Sequence, residues 1–453
     1  MRKNNILNWI KLSSFIFALS SLFASCSNEL DETLQSAGNG NLQFVVSDFP
    51  AFGEGTKTRA IGTQDEGKTA WANEDKILVH LYSPKYGDQA VTLTFDAENN
   101  TWESDGGTLS YLENETPTIT AVYAPDCEIK SNKTIGLLEG KQYGEAEYIL
   151  ARTTISENSL DINFESGRTY SRLRIAGLAN QTLTVTTTNF TPAGATEVAT
   201  DAYTLTTDNN GNAFLYGVFA EDATVIVKQG NVVLKDYTFT AEKNPNGTEH
   251  NKSYALDARP VIDGTLGGKA TAEESDITAL VEQLKEYVDN GITTIIVPGS
   301  QPATIDMGLW INTAIGEAIY RLSKDESYNG KIDLILPDVT EIFDQEFHSA
   351  RALNSITLPK VTNLADQAFY GTLYLRTITF GSVITEVNEL GAIFNQVGYN
   401  VGGCDLILNC GQMNESNVPA PDLTNDIWKF KFENEFKSIT LTHTGECDEC
   451  KAI

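Results

Sequence analysis

The feature that most restricts the fold is an internal repeat in the last third of the chain. Ile332-Asp-Leu334-Ile-Leu336-Pro337-Asp-Val339 recurs as Ile356-Thr-Leu358-Pro359-Lys-Val361, and again as Ile378-Thr-Phe380-Gly381-Ser-Val383. Aligning Leu336, Leu358 and Phe380 gives a period of 22 residues, which Val339, Val361 and Val383 keep, as do Phe347 with Phe369 and Leu353 with Leu375. A fixed period of this size marks units that cannot bury an apolar face alone and must stack on their neighbours. Divergent copies flank the three at Ile295-Ile-Val297, Leu406-Ile-Leu408 and Ile439-Thr-Leu441. Alternation within each copy predicts a strand that turns Leu, Ile and Phe inward. The intervening positions then share the other face: Asp333, Ile335, Ser355, Thr357, Thr377 and Thr379, with Ser438, Thr440 and Thr442 in the final strand. This Ser/Thr ladder is the candidate ligand face.

Two helices accompany the repeat. Ile277, Leu280, Val281, Leu284, Tyr287 and Val288 recur at helical spacing behind a capping box at Thr271-Ala-Glu-Glu274, and Gly291 stands at the stop. Trp310, Ala314, Ile315, Ala318, Ile319 and Leu322 fit a second helix inserted in the first copy. A Gly-rich segment, 263–270, separates this unit (271–453) from what precedes it. Ahead of that linker the chain reads as all-β. Short alternating runs such as Lys76 to Tyr82, Val91 to Phe95, Thr118 to Tyr123, Leu173 to Ile175, Thr182 to Thr187 and Asn212 to Val218 are separated by Gly, Asn, Asp and Pro turns. That pattern predicts two β-sandwiches, 42–160 and 161–262.

The N-terminus predicts export. Met1 to Lys11 carries only basic charges, and Leu12 to Phe23 is an apolar run too short to span a bilayer, which takes about 20 residues. It ends in Phe23-Ala24-Ser25-Cys26, which resembles the lipobox of bacterial lipoproteins. That resemblance implies a signal peptide over 1–25, cleavage before Cys26 and lipidation of Cys26. The Ser-Asn-Glu-Leu-Asp-Glu run that follows resembles the signal placing lipoproteins on the outer face of the outer membrane. Residues 26–41 then form an acidic, flexible tether, and the multiple acyl chains on such a cysteine anchor stably.

Leu42-Gln-Phe-Val-Val46, Thr58-Arg59-Ala60 and Trp71-Ala-Asn-Glu-Asp75-Lys-Ile77, followed by Asp161-Ile-Asn-Phe164 and Leu173-Arg-Ile175, resemble fimbrillin-like proteins. The resemblance covers roughly residues 40–258. It implies two transthyretin-like sandwiches. In pilus-forming members it also implies cleavage after an early-loop arginine, here Arg59, so that the first strand leaves and a strand of another fimbrial subunit takes its place. Ile-Thr-Leu-Pro-x-Val-Thr with Ala368-Phe369, best kept in Ser355 to Arg376, resembles the BspA-type leucine-rich repeat. That family binds host or bacterial surfaces, and the resemblance implies an α/β leucine-rich repeat solenoid.

Charge narrows the partners. With 32 Lys and Arg against 61 Asp and Glu, the chain carries −29, which repels nucleic acid and anionic lipid. No HExxH or GxSxG is present, the four histidines are scattered, and Gly264 to Lys269 fails the phosphate-loop spacing, so neither catalysis nor a cofactor is expected. Cys447-Asp-Glu-Cys450 is a candidate disulfide in an exported chain. The expectation is a multidomain, surface-exposed lipoprotein of the outer membrane. Two sandwiches carry a leucine-rich repeat head that binds a protein or glycan ligand on host or bacterial surfaces, as an adhesin or a fimbrial tip or accessory subunit. The alternative is a lipoprotein that captures glycans for nutrient uptake, which calls for exposed aromatic platforms.

Overall fold

The computed structural model describes residues 34–37, 43–54, 67–112, 115–156, 159–165, 168–198, 202–240, 247–262, 271–299, 304–305, 313–387, 392–409 and 436–442. Cys26, Arg59, the linker 263–270, Trp310 and the Cys447/Cys450 pair lie outside them.

The β-rich part buries two separate cores. In the first, an antiparallel sheet runs Ile149–Leu150, Thr118–Tyr123, Lys76–Ser83, Gly87–Asp96, Thr101–Ser104. Its inward residues, among them Ile77, Val79, Leu81, Val91 and Leu93, share one core with Leu160, Ile162 and Phe164. Leu160 and Ile162 come from a three-stranded sheet of Arg152–Ser156, Ser159–Asn163 and Gln43–Val46, the last pairing parallel to its neighbour. In the second, Ser171–Ala176, Asn212–Phe219 and Lys252–Asp257 back onto Ala202–Thr206, Thr182–Thr187, Thr224–Gln229 and Val232–Thr238, around Leu173, Ile175, Val185, Tyr203, Phe219 and Val227. The hairpin 152–163, which straddles the expected boundary at 160, packs with the first core.

Two segments depart from the sequence expectation. Leu34–Ala37, read above as flexible tether, pairs antiparallel with Leu109–Leu112. A strand edge offers unpaired N–H and C=O groups that a passing chain satisfies whatever its composition. The early segment 43–54 also serves both sandwiches. Gln43–Val46 pairs with Ser159–Asn163, Phe49 and Phe52 are buried in the first core, and Gly53–Glu54 pairs parallel with the 252–257 strand of the second.

Helix α1 spans Glu274–Asp289 and buries Ile277, Leu280, Leu284 and Tyr287. Its N-cap is Glu273, whose backbone N–H donates to Asp276 (3.0 Å), so the capping box sits two residues later than the sequence reading placed it. Helix α2 spans Ala314–Lys324, and its N-cap Thr313 accepts from the Gly316 N–H at 3.0 Å.

The repeat forms a six-stranded parallel ladder: Thr294–Ile296, Ile332–Ile335, Leu353–Leu358, Thr377–Phe380, Cys404–Asn409, Phe436–Thr442. Leu334, Ile356, Ile378, Leu406 and Ile439 stand opposite one another across it. A second parallel sheet, Glu341–Ile342, Asn363–Leu364, Glu386–Val387, stacks the return segments of the same units. The next unit is longer. Its extra residues turn through Tyr399–Val401 between Gly398 and Gly402, both at positive φ, where glycine escapes the Cβ penalty. Val261 bridges to Ile296, and Ile262 and Val232 pack into the ladder's core, which ties the ladder to the second sandwich.

Candidate functional site

Strand register gathers every residue assigned to the candidate face. One outward row runs Thr294, Asp333, Ser355, Thr377, Asp405, Ser438; the next runs Ile296, Ile335, Thr357, Thr379, Ile407, Thr440. Asn409 opposite Thr442 opens a third. Neighbouring strands lie about 4.8 Å apart, so a row of six spans about 24 Å. Asp405, Ile407 and Asn409 were missed because the copy at Leu406 departs from the 22-residue spacing. Its inward Leu406 and Leu408 were the signal that could have placed them.

The polar groups on this face differ in what they are free to do. Asp333 accepts from Ser355 Oγ and Asn354 Nδ2, both at 2.7 Å. Asp405 accepts from Ser438 Oγ at 2.7 Å, with Lys437 Nζ at 3.9 Å. Those serines are committed to the protein's own carboxylates. Among the described residues the hydroxyls of Thr357, Thr377 and Thr379 have no such side-chain partner, and Ser438 and Thr440 are exposed. The face can therefore offer a row of hydroxyl donors and acceptors flanked by two carboxylates.

Behind the face the chemistry is closed. Cys404, inward on the ladder, is free and buried, and burial pushes its thiol up to about 12. Free Cys127 on the first sandwich is raised to about 11 by burial. A thiol held that far above neutrality is a poor nucleophile. Among the described residues, no three His, Cys, Asp or Glu side chains gather as metal ligands.

A second concavity lies between the sandwiches, about 430 Å³, with Lys68, Tyr123, Glu147, Asp208, Phe214 and Tyr216 in its lining. Its polar groups are engaged with the protein. Lys68 pairs with Asp75 and sits over the rings of Phe49 and Tyr123, and Glu147 accepts from Arg168 at 2.7 Å. Burial still raises the Glu147 carboxyl above its ordinary value, outweighing the guanidinium.

No family model matches the chain, and no curated protein does. Solved structures to which it is similar include a candidate cell adhesion protein from Bacteroides fragilis, at 9% identity over 49% of this chain and 94% of that one, with a TM-score of 0.25. Another is a fimbrial protein from Bacteroides ovatus, at 10% identity over 48% of each chain and a TM-score of 0.24. A third is a minor pilin of Streptococcus agalactiae, at 11% identity over 48% of this chain and 94% of that one, with a TM-score of 0.15.

Proposed function

We propose that the chain is a non-enzymatic surface adhesin, anchored through lipidated Cys26 to the outer membrane. Two fimbrillin-like sandwiches over 42–262, the first of which keeps the hairpin 152–163, carry a leucine-rich repeat head over 271–453. The observation that carries this reading is the unbroken outward face of the parallel ladder. Three unengaged threonine hydroxyls, Thr357, Thr377 and Thr379, stand there on adjacent strands, in the unit farthest along the chain from Cys26. Stacked-repeat sheets are a common binding surface because they extend one face across many units. The ligand is a protein or glycan on host or bacterial surfaces. A ladder appended after the sandwiches favours a fimbrial tip or free-standing adhesin over a repeating shaft subunit. The alternative, glycan capture for nutrient uptake, is weakened because no described residue of the outward rows is aromatic.

The test uses bacteria displaying the full chain and measures their adhesion to immobilised host and bacterial surface extracts. Thr357→Val with Thr379→Val keeps β-branched side chains and removes only the hydroxyls. Adhesion falling at least about fivefold is the expected result; adhesion equal to the parent overturns the assignment of this face.

A further inference from the structure

In the repeat-bearing unit the described cations divide into those that hold a carboxylate and those that do not, and the latter collect in one place. Lys285 holds Asp325 (2.6 Å), Arg321 holds Glu317 (2.7 Å), Lys360 holds Asp338 (2.9 Å) and Lys437 approaches Asp405 (3.9 Å). The other described basic residues of 271–442 are Lys324, Lys331, Arg351 and Arg376, and none has an ion-pair partner among the described residues. All four lie at the edge where the ladder strands begin. Lys331 Nζ donates to the Arg351 carbonyl at 2.6 Å and stands 4.4 Å from the centre of the Tyr374 ring. Arg376 N donates to the Asn354 carbonyl on the neighbouring strand. Lys324 ends α2 next to Ser323, whose Oγ accepts from the Ala352 N–H at 3.0 Å, and lies 5.1 Å from the Tyr320 ring centre. Beside them His348 and Tyr370 stack at 5.2 Å, with planes 7° apart.

No described carboxylate nearby pairs with these four cations: Asp325 holds Lys285, and Asp333, though charged, accepts from Asn354 and Ser355. The mutual cost is visible: burial and the Arg351 charge hold Lys331 below its ordinary value, and burial with the Lys324 charge lowers His348. Like charges gathered without a counter-ion are destabilising by themselves, and an external anion relieves them.

We infer that this edge is a binding site for a short sulfated glycan. Lys331, Arg351 and Arg376 each shortly precede one of three successive ladder strands, so three cations stand along one edge. That suits anionic groups carried along an oligosaccharide, with sugar rings resting against Tyr374, Tyr370 and Tyr320. A nucleic acid fits worse, because a long polyanion would run onto the surrounding acidic surface. The site is separate from the Thr rows, so it stands or falls apart from the proposed ligand face.

The experiment measures binding of the purified full chain to a heparin-derived oligosaccharide, its desulfated form and single-stranded DNA. Arg351 and Arg376 are exposed, so Arg351→Glu with Arg376→Glu leaves the core intact, checked by circular dichroism and melting temperature. The expected result is binding to the sulfated probe that weakens as salt rises from about 50 to about 200 mM and falls at least about tenfold in this variant. A charge-matched control, Lys133→Glu with Arg152→Glu on the first sandwich, retains binding. Absence of binding by the parent chain, equal binding by the edge variant, equal loss in the control, or equal affinity for the desulfated probe or for DNA each overturns the inference. Loss of surface adhesion in the Thr357/Thr379 variant bears on the strand face alone and leaves this site standing.

Discussion

Phe347 and Phe369, one repeat apart, stack with ring centres 5.6 Å apart and planes 17° from parallel. Phe394 continues the stack at 5.6 Å and 8°, and Phe436 closes it edge-on at 5.0 Å. Phe347, Phe369 and Phe394 are fully buried. Phe369 is the middle ring, so Phe369→Ala loses its own burial and both stacking partners. The expected cost is about 3–5 kcal/mol in a urea titration. A loss below about 1 kcal/mol would mean that the units do not depend on this column for their stacking.

Phe347 and Phe369 were legible in the sequence because they keep the 22-residue spacing; Phe394 was not, because its unit slips out of period. The same distinction runs through the molecule. Inward Leu334, Ile356 and Ile378 and their outward neighbours followed from alternation, which is a local property. The pairing of Gly53–Glu54 with Lys252–Asp257, or of Val261 with Ile296, joins segments by backbone hydrogen bonds that no side-chain period encodes. The basic edge was hidden for a related reason. Lys324, Lys331, Arg351 and Arg376 share no fixed repeat position, and only the turns preceding the strands bring them together.

Glu346 is buried beneath the N-terminus of α2, where it accepts from Thr313 Oγ1 and from the Phe343 N–H, both at 2.9 Å. Burial pushes its carboxyl from an ordinary 4.5 up to about 7, with the Glu341 charge adding to the rise. The native state therefore holds a proton that the unfolded chain releases near 4.5. Stability from this group is fully present below about pH 4.5, declines as pH rises towards 7, and is flat above. At about 1.4 kcal/mol per unit the ceiling is on the order of 3 kcal/mol. Glu346→Gln removes the titration. The stability difference between parent and variant, followed by denaturation from about pH 4.5 to 7.5, should shift against the parent as pH rises; parallel curves would show that this carboxyl does not titrate there.

Arg168 ties the early segment to the first core. Its guanidinium donates to the Pro50 carbonyl and to Glu147 at 2.7 Å, and lies 3.7 Å from the Phe52 ring centre. The side chains of Arg168 and Glu147 are only 2% and 11% exposed. Removing one partner leaves the other charge buried and unpaired, so Arg168→Met should cost about 3–5 kcal/mol. Arg168→Lys should also destabilise, because an ammonium cannot serve both acceptors while lying flat on a ring. The double variant Arg168→Met with Glu147→Leu should recover part of the loss, since no orphan charge remains. A double-mutant cycle showing simple additivity would mean the two groups act independently.

Gly381 stands where the two preceding copies carry Pro337 and Pro359. The substitution follows from packing. A Cβ on residue 381 would lie 2.8 Å from both the Cα and the carbonyl oxygen of Pro359, main-chain atoms that cannot swing aside. Ser382 Oγ donates to the same Pro359 carbonyl at 2.8 Å, which holds the two strand ends together. Gly381→Ala should therefore force the third copy away from the second and cost about 1–3 kcal/mol, the range for overpacking a filled site. Ser382→Ala removes only the tether and should cost about 1 kcal/mol. If Gly381→Ala proves as mild as Ser382→Ala in the same urea titration, the strand ends have room to separate, and glycine at this position is not a packing requirement.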